Sequence, residues 1–143
     1  MADNVPAAVI REMRRLHEEL DEELSRFSLT CRRCGSCCHF GSSGLFLYLS
    51  TMEAVVFFED RHLPAKDASG EICPYLTAEG CSNRRNRSIG CRTYFCQPKF
   101  RVRLEKLHEE YLARVKKLSD RFHVPWDYSP LNVWMEKQRL SGR

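Results

Sequence analysis

CRRCGSCC, residues 31 to 38, places Cys31, Cys34, Cys37 and Cys38 within eight positions, and Cys73, Cys81, Cys91 and Cys96 complete the chain's eight cysteines. Only a disulfide framework or a set of metal thiolates commonly needs cysteines at this density, and the two imply opposite redox compartments. The residues before Cys31 hold no uninterrupted apolar run of signal-peptide length and turn charged within ten positions, so export is not expected. No stretch approaches the roughly 20 apolar residues that span a bilayer. With 29% charged residues, the chain reads as soluble and cytoplasmic, with no membrane partner. Thiols stay reduced in that compartment, which favours metal ligands, with catalytic or buried free thiols as the alternative, over cystines.

The eight cysteines divide into two groups of four, one in residues 31 to 38 and one at Cys73, Cys81, Cys91 and Cys96. A C-x-x-C pair lets a tight turn offer two thiolates to one ion, and tetrahedral zinc takes four ligands, with sulfur at about 2.3 Å. Cys37 and Cys38 constrain the grouping. Successive side chains diverge by roughly 100 degrees in a helix and point to opposite sides of a strand, so these two rarely face one ion. Either two metal centres draw on both halves, or the adjacent pair serves different atoms of a small cluster. Iron–sulfur binding competes with zinc, because C-x-x-C-x-x-C with a later cysteine before proline, here Cys73-Pro74, is partly ferredoxin-like. That later cysteine stands farther away than in ferredoxins. Zinc, mononuclear iron and an iron–sulfur cluster all suit thiolates.

Outward from the cysteines, Val5, Val9, Met13, Leu16, Leu20, Leu24 and Phe27 recur at helical spacing and predict a helix over 5–27. Phe100, Leu104, Leu107, Tyr111, Val115, Leu118 and Phe122 predict a second over 98–123, opened by Pro98. Both seams approach a heptad pattern that a homo-oligomer would use. Each covers only about three heptads, so packing within one domain is the expected use. LFLYLS, 45 to 50, reads as a short strand, and Ser50 with Glu53 has capping-box spacing for a helix through TMEAVVFFEDRH, ending before Pro64. Pro64, Gly70, Pro74 and Gly80 then mark a loop with little core of its own, carrying Cys73 and Cys81. Ser129-Pro130 opens a short terminal helix over 129–141. The expected fold is mainly α: a single small metal-organised domain over 1–143, its two long helices flanking an irregular cysteine module, 31–96, with a short strand.

CRRCGSCC, then CPYL with a cysteine beyond it, then RSIGCRTYFC, resembles the CxxCxxCC, or YkgJ-type, family of zinc- or iron-chelating cysteine-cluster proteins. The resemblance covers about residues 31 to 96 and implies that all eight cysteines bind metal. Gly35, Pro74, Arg87 and Arg92 also stand at motif positions. Arg87-Ser88 replaces the family's usual Arg-Pro, and Ser82-Asn83 replaces an apolar and aromatic pair after Cys81. Both departures are expected to loosen the loop's preset backbone without removing a ligand.

Residues 81 to 104 hold Arg84, Arg85, Arg87, Arg92, Lys99, Arg101 and Arg103 with no acidic residue, among Tyr94, Phe95 and Phe100. Such a run can grip nucleic acid. Charge compensation is the simpler use: eight thiolates and two zinc ions would bring the formal +4 to about zero. Arginine donors beside thiolates also hold them ionised. His39 beside Cys38 is expected at the surface or near the metal without binding it, and His17, His62, His108 and His123 in plain solvated or capping roles. Glu53, Glu59 and Asp60 read as helix-surface charges. No G-x-x-x-x-G-K-S/T or G-x-G-x-x-G motif supports a nucleotide cofactor. No catalytic residue can be assigned, and an enzyme stays an alternative only through an open metal site or a redox cluster.

Overall fold

In a computed structural model of the chain, residues 7–27, 47–59, 73–78, 80–94 and 98–140 are described. The first long helix, α1, runs Ala7–Ser25. A strand β1 (Tyr48–Ser50) leads directly into α2 (Thr51–Phe57). A hairpin of β2 (Leu76–Thr77) and β3 (Gly80–Cys81) precedes α3 (Ile89–Thr93). The second long helix, α4, spans Arg101–Arg121 behind a 3-10 turn at Pro98–Phe100. Strand β4 (Tyr128–Pro130) and helix α5 (Leu131–Leu140) follow. The fold is mainly α, as the periodicity predicts.

Two apolar clusters form its interior. In the first, Val9, Met13, Leu16, Leu20 and Leu24 of α1 meet Leu104, Leu107, Tyr111 and Val115 of α4, with Met52, Val56 and Ile89 closing it. Both helical seams are therefore spent inside the chain. The second cluster gathers Leu47, Leu49, Ala54, Phe57, Phe58, Cys73, Tyr75, Leu131, Trp134 and Met135. Burying a large apolar side chain is worth about 1.5–3 kcal/mol, so both clusters are substantial.

The expected boundaries shift at several places. Ser129-Pro130 does not open the terminal helix: β4 pairs antiparallel with β1, Tyr48 opposite Pro130 and Ser50 opposite Tyr128, and the helix starts at Leu131. A proline at the end of a two-stranded ribbon is tolerated there, since it has no N–H to contribute. The helix after Ser50 stops at Phe57 rather than running toward Pro64. The loop bearing Cys73 and Cys81 contains a hairpin, and Cys73 and Tyr75 are core residues.

Two polar residues read as solvated are buried. Glu53 is 2% exposed and completes the capping box of α2, accepting from the Ser50 N–H at 2.9 Å and the Ser50 hydroxyl at 2.8 Å. Its other oxygen accepts the Ile89 N–H at 2.9 Å, so one carboxylate serves the N-termini of both α2 and α3. Glu59 accepts a charged hydrogen bond from Arg14; Asp60 and His62 lie outside the described residues. His17 is 3% exposed, and neither ring nitrogen has a hydrogen-bond partner among the described residues.

Burial, and then the positive charges of Arg92, Arg14 and Arg87, push the His17 imidazole down to about 3 from 6.5. The folded state therefore holds this ring neutral where the unfolded chain protonates it, and this contribution to stability falls as pH drops below about 6.5. At pH 5 the loss is about 2 kcal/mol, since each unit below the unfolded value costs about 1.36 kcal/mol. Urea unfolding at pH 7 and pH 5 checks this: His17→Leu is expected to flatten the difference, and an unchanged pH slope in that variant removes the assignment.

Candidate metal centre

Of the eight expected ligands, Cys73, Cys81 and Cys91 lie among the described residues. Cys31, Cys34, Cys37, Cys38 and Cys96 fall outside them, as does His39. Cys73 is 5% exposed and belongs to the second cluster, against which half-buried Cys91 also packs. Two cysteines distant in sequence thus meet one apolar surface. Cys81 ends the hairpin, opposite Leu76. Cys73 and Cys81 carry free thiols. They flank Tyr75, whose phenol is pushed up first by burial and then by the Cys73 charge, with Cys81 adding to it and Arg139 opposing. Among the described residues, no three His, Cys, Asp or Glu side chains stand close enough to hold an ion by themselves.

Backbone hydrogen bonds fix where these cysteines stand. The Ser82 N–H and hydroxyl both donate to the Tyr75 carbonyl, at 2.8 and 2.7 Å, tying the strand after Cys81 to the turn after Cys73. The Asn83 amide donates to the Phe57 carbonyl at 3.0 Å, and its own oxygen accepts from Asn86 at 3.1 Å. Ser88 caps α3 by accepting the Cys91 N–H at 3.1 Å, with φ of −67°. That is the torsion a proline would impose. Ser82, Asn83 and Ser88 thus hold this segment by side-chain hydrogen bonds.

Arg92, next to Cys91, is 5% exposed and spends its guanidinium inside the protein. It donates to the Arg87 carbonyl at 2.9 Å, the Arg85 carbonyl at 2.6 Å and the Asp21 carboxylate of α1 at 2.7 Å. Burial lowers its pKa, and Asp21 opposes that most strongly. Arg87 donates to the carbonyls of Arg84 and Cys91. These two arginines lock the backbone that presents Cys91, while Arg85, Lys99, Arg101 and Arg103 are exposed. The arginine run therefore splits between an internal clamp and an outward set. The sequence signal for the clamp was Arg92 inside a short helical step with Ile89 and Thr93, both buried.

Thiolates are soft donors that select thiophilic ions such as zinc or iron, and of the described cysteines Cys73 and Cys91 stand against an apolar wall. No family model, curated protein or solved structure matches the chain. Among the described residues, no helix is long and apolar enough to cross a membrane.

Proposed function

We propose that the chain is a cytoplasmic metal-binding module whose eight cysteine thiolates hold zinc or iron, within a single domain that the metal organises. The eight-cysteine order carries this reading: CRRCGSCC, then Cys73, Cys81, Cys91 and Cys96, with Gly35, Pro74, Arg87 and Arg92 at the positions the resemblance to the CxxCxxCC family assigns them. The seating of Cys73 and Cys91 on one apolar cluster supports it. Zinc stands slightly ahead of iron, because a thiolate set of this size suits two closed tetrahedral sites that need no redox partner. Neither membrane nor nucleic acid is needed as a partner.

The second reading is an iron–sulfur redox protein or accessory enzyme, favoured by the adjacent Cys37-Cys38 pair and by Cys73-Pro74. Purification without oxygen, followed by a visible spectrum and metal analysis, separates the two. A colourless protein with about two zinc ions supports the first. A brown one with iron and labile sulfide replaces it with the second, and a metal-free, fully folded protein overturns both. Cys38→Ser alone is expected to lower the metal content, whereas unchanged stoichiometry shows that Cys38 is not a ligand.

A further inference from the structure

Beyond the cysteine module, the seam between α1 and α4 changes character along its length. At one end Arg121 faces Glu12 at 3.7 Å and Arg114 pairs with Glu19; next, the Tyr111 hydroxyl donates to Glu23. Past Tyr111, no further charge pair joins the two helices among the described residues. A groove of about 780 Å³ opens there, floored by Phe27, Phe100 and Leu107 and bordered by Arg26, Lys99, Arg103 and Lys106. Its two carboxylates are Glu110 and Glu23, the latter already holding the Tyr111 hydroxyl.

Among the described residues, the cations around this groove are poorly matched. The Arg26 guanidinium reaches, among the described residues, Glu22 of α1, at 3.9 Å, with both side chains more than 70% exposed. Among the described residues, no carboxylate lies within ion-pair distance of Lys99, Arg103 or Lys106. Instead Arg103 sits 4.8 Å over the Phe27 ring and Lys99 sits 5.4 Å over the Phe100 ring, while the two rings meet at 5.6 Å. Like charges gathered on one concave surface repel each other, an arrangement that an anionic ligand relieves.

We propose that this groove between the C-terminal end of α1 and the start of α4 is a binding site for a nucleoside phosphate. The volume lies within the roughly 300–1,000 Å³ of small-molecule sites. An aromatic and aliphatic floor suits a planar base, and guanidinium and ammonium groups at the rim suit phosphate oxygens, arginine in bidentate fashion. No glycine-rich phosphate loop is involved, which is why motif inspection passes over the site. The site does not depend on the metal reading.

The test uses the full-length, metal-loaded protein at low salt, with ATP, pyrophosphate and a short oligothymidylate as probes, followed by calorimetry. Saturable ATP binding is expected, with pyrophosphate at least about 10-fold weaker because it lacks the base. Arg103→Glu with Lys106→Glu is expected to weaken ATP by about 30-fold, with metal content and Tm retained. Lys106→Glu alone, at an exposed position, is expected to give a smaller loss in the same direction if the double variant does not fold. The proposal is overturned by absent ATP binding at about 1 mM, by pyrophosphate binding as tightly as ATP, or by an affinity indifferent to the substitutions. Loss of metal with ATP affinity intact assigns these cations to the cysteine module instead, and oligothymidylate outcompeting ATP makes the groove a nucleic-acid surface; either result also rejects it.

Discussion

On the proposed metal-binding reading, chelation under reducing conditions is expected to expose Trp134 while Trp126 and most of the helical signal persist. The two clusters are chemically unequal. Among the described residues, the first, between α1 and α4, contains no cysteine. The second includes Cys73 and takes Cys91 against its surface. Structural zinc supplies about 10–16 kcal/mol to the fold that forms its site, comparable to or larger than the whole stability of a typical domain. On the proposed reading, its removal should be felt in the second cluster, against which Cys73 and Cys91 pack. Trp134 is 2% exposed in the second cluster and its indole N–H donates to the Leu49 carbonyl at 2.8 Å. Trp126 packs on the first cluster and stacks on Tyr128 at 6.2 Å. Trp126→Phe leaves Trp134 as the sole indole, and Trp134→Phe does the converse. A red shift confined to the Trp134 reporter is the expected result. Equal and simultaneous shifts of both would show one indivisible core, and no shift in either would show that metal does not support the fold.

Glu53→Ala is expected to destabilise the protein by about 3–5 kcal/mol in urea unfolding, among the largest effects of any single substitution outside the cysteines. The deletion leaves the buried N–H groups of Ser50 and Ile89 without their acceptor, each at a cost of about 1–3 kcal/mol, and removes negative charge from two helix N-termini. Glu53→Gln keeps the volume and one acceptor oxygen but sets an amide NH₂ against backbone donors, so it should fall about midway. Because Ile89 begins the helix that bears Cys91, the alanine variant should also lose metal at lower chelator concentrations. A loss below about 1 kcal/mol would show that the carboxylate is dispensable.

The long helices were legible because α1 and α4 bury one face over about five turns, and each apolar position repeats the signal. The Ser50–Glu53 capping box was legible too, being local in sequence. The burial of Glu53 was not, since the donor that takes its second oxygen lies 36 residues downstream. His17 looked like any surface histidine of a charged helix, yet it falls in step with Met13 and Leu20 and is carried into the same face. The β1–β4 ribbon left almost no trace: three residues pair with three residues far along the chain, and Ser129-Pro130 carries an equally good helix-start signal. Of the candidate centre, the clustering of the cysteines was plain in the sequence, and the hydrogen-bonded frame around Cys73, Cys81 and Cys91 was not. That frame is built from serine, asparagine and arginine side chains hydrogen-bonded mostly to backbone groups, whose partners no side-chain pattern reveals.

The ribbon between β1 and β4 sets an order of events during synthesis. α1 can coil as soon as it leaves the ribosome, but Leu49, Phe57 and Phe58 must wait for Leu131, Trp134 and Met135 to complete their cluster. At about 5–20 residues per second, that interval lasts several seconds. For that time the nascent chain presents an apolar surface together with its upstream thiols, so newly made protein is most exposed to oxidation and aggregation before α5 emerges.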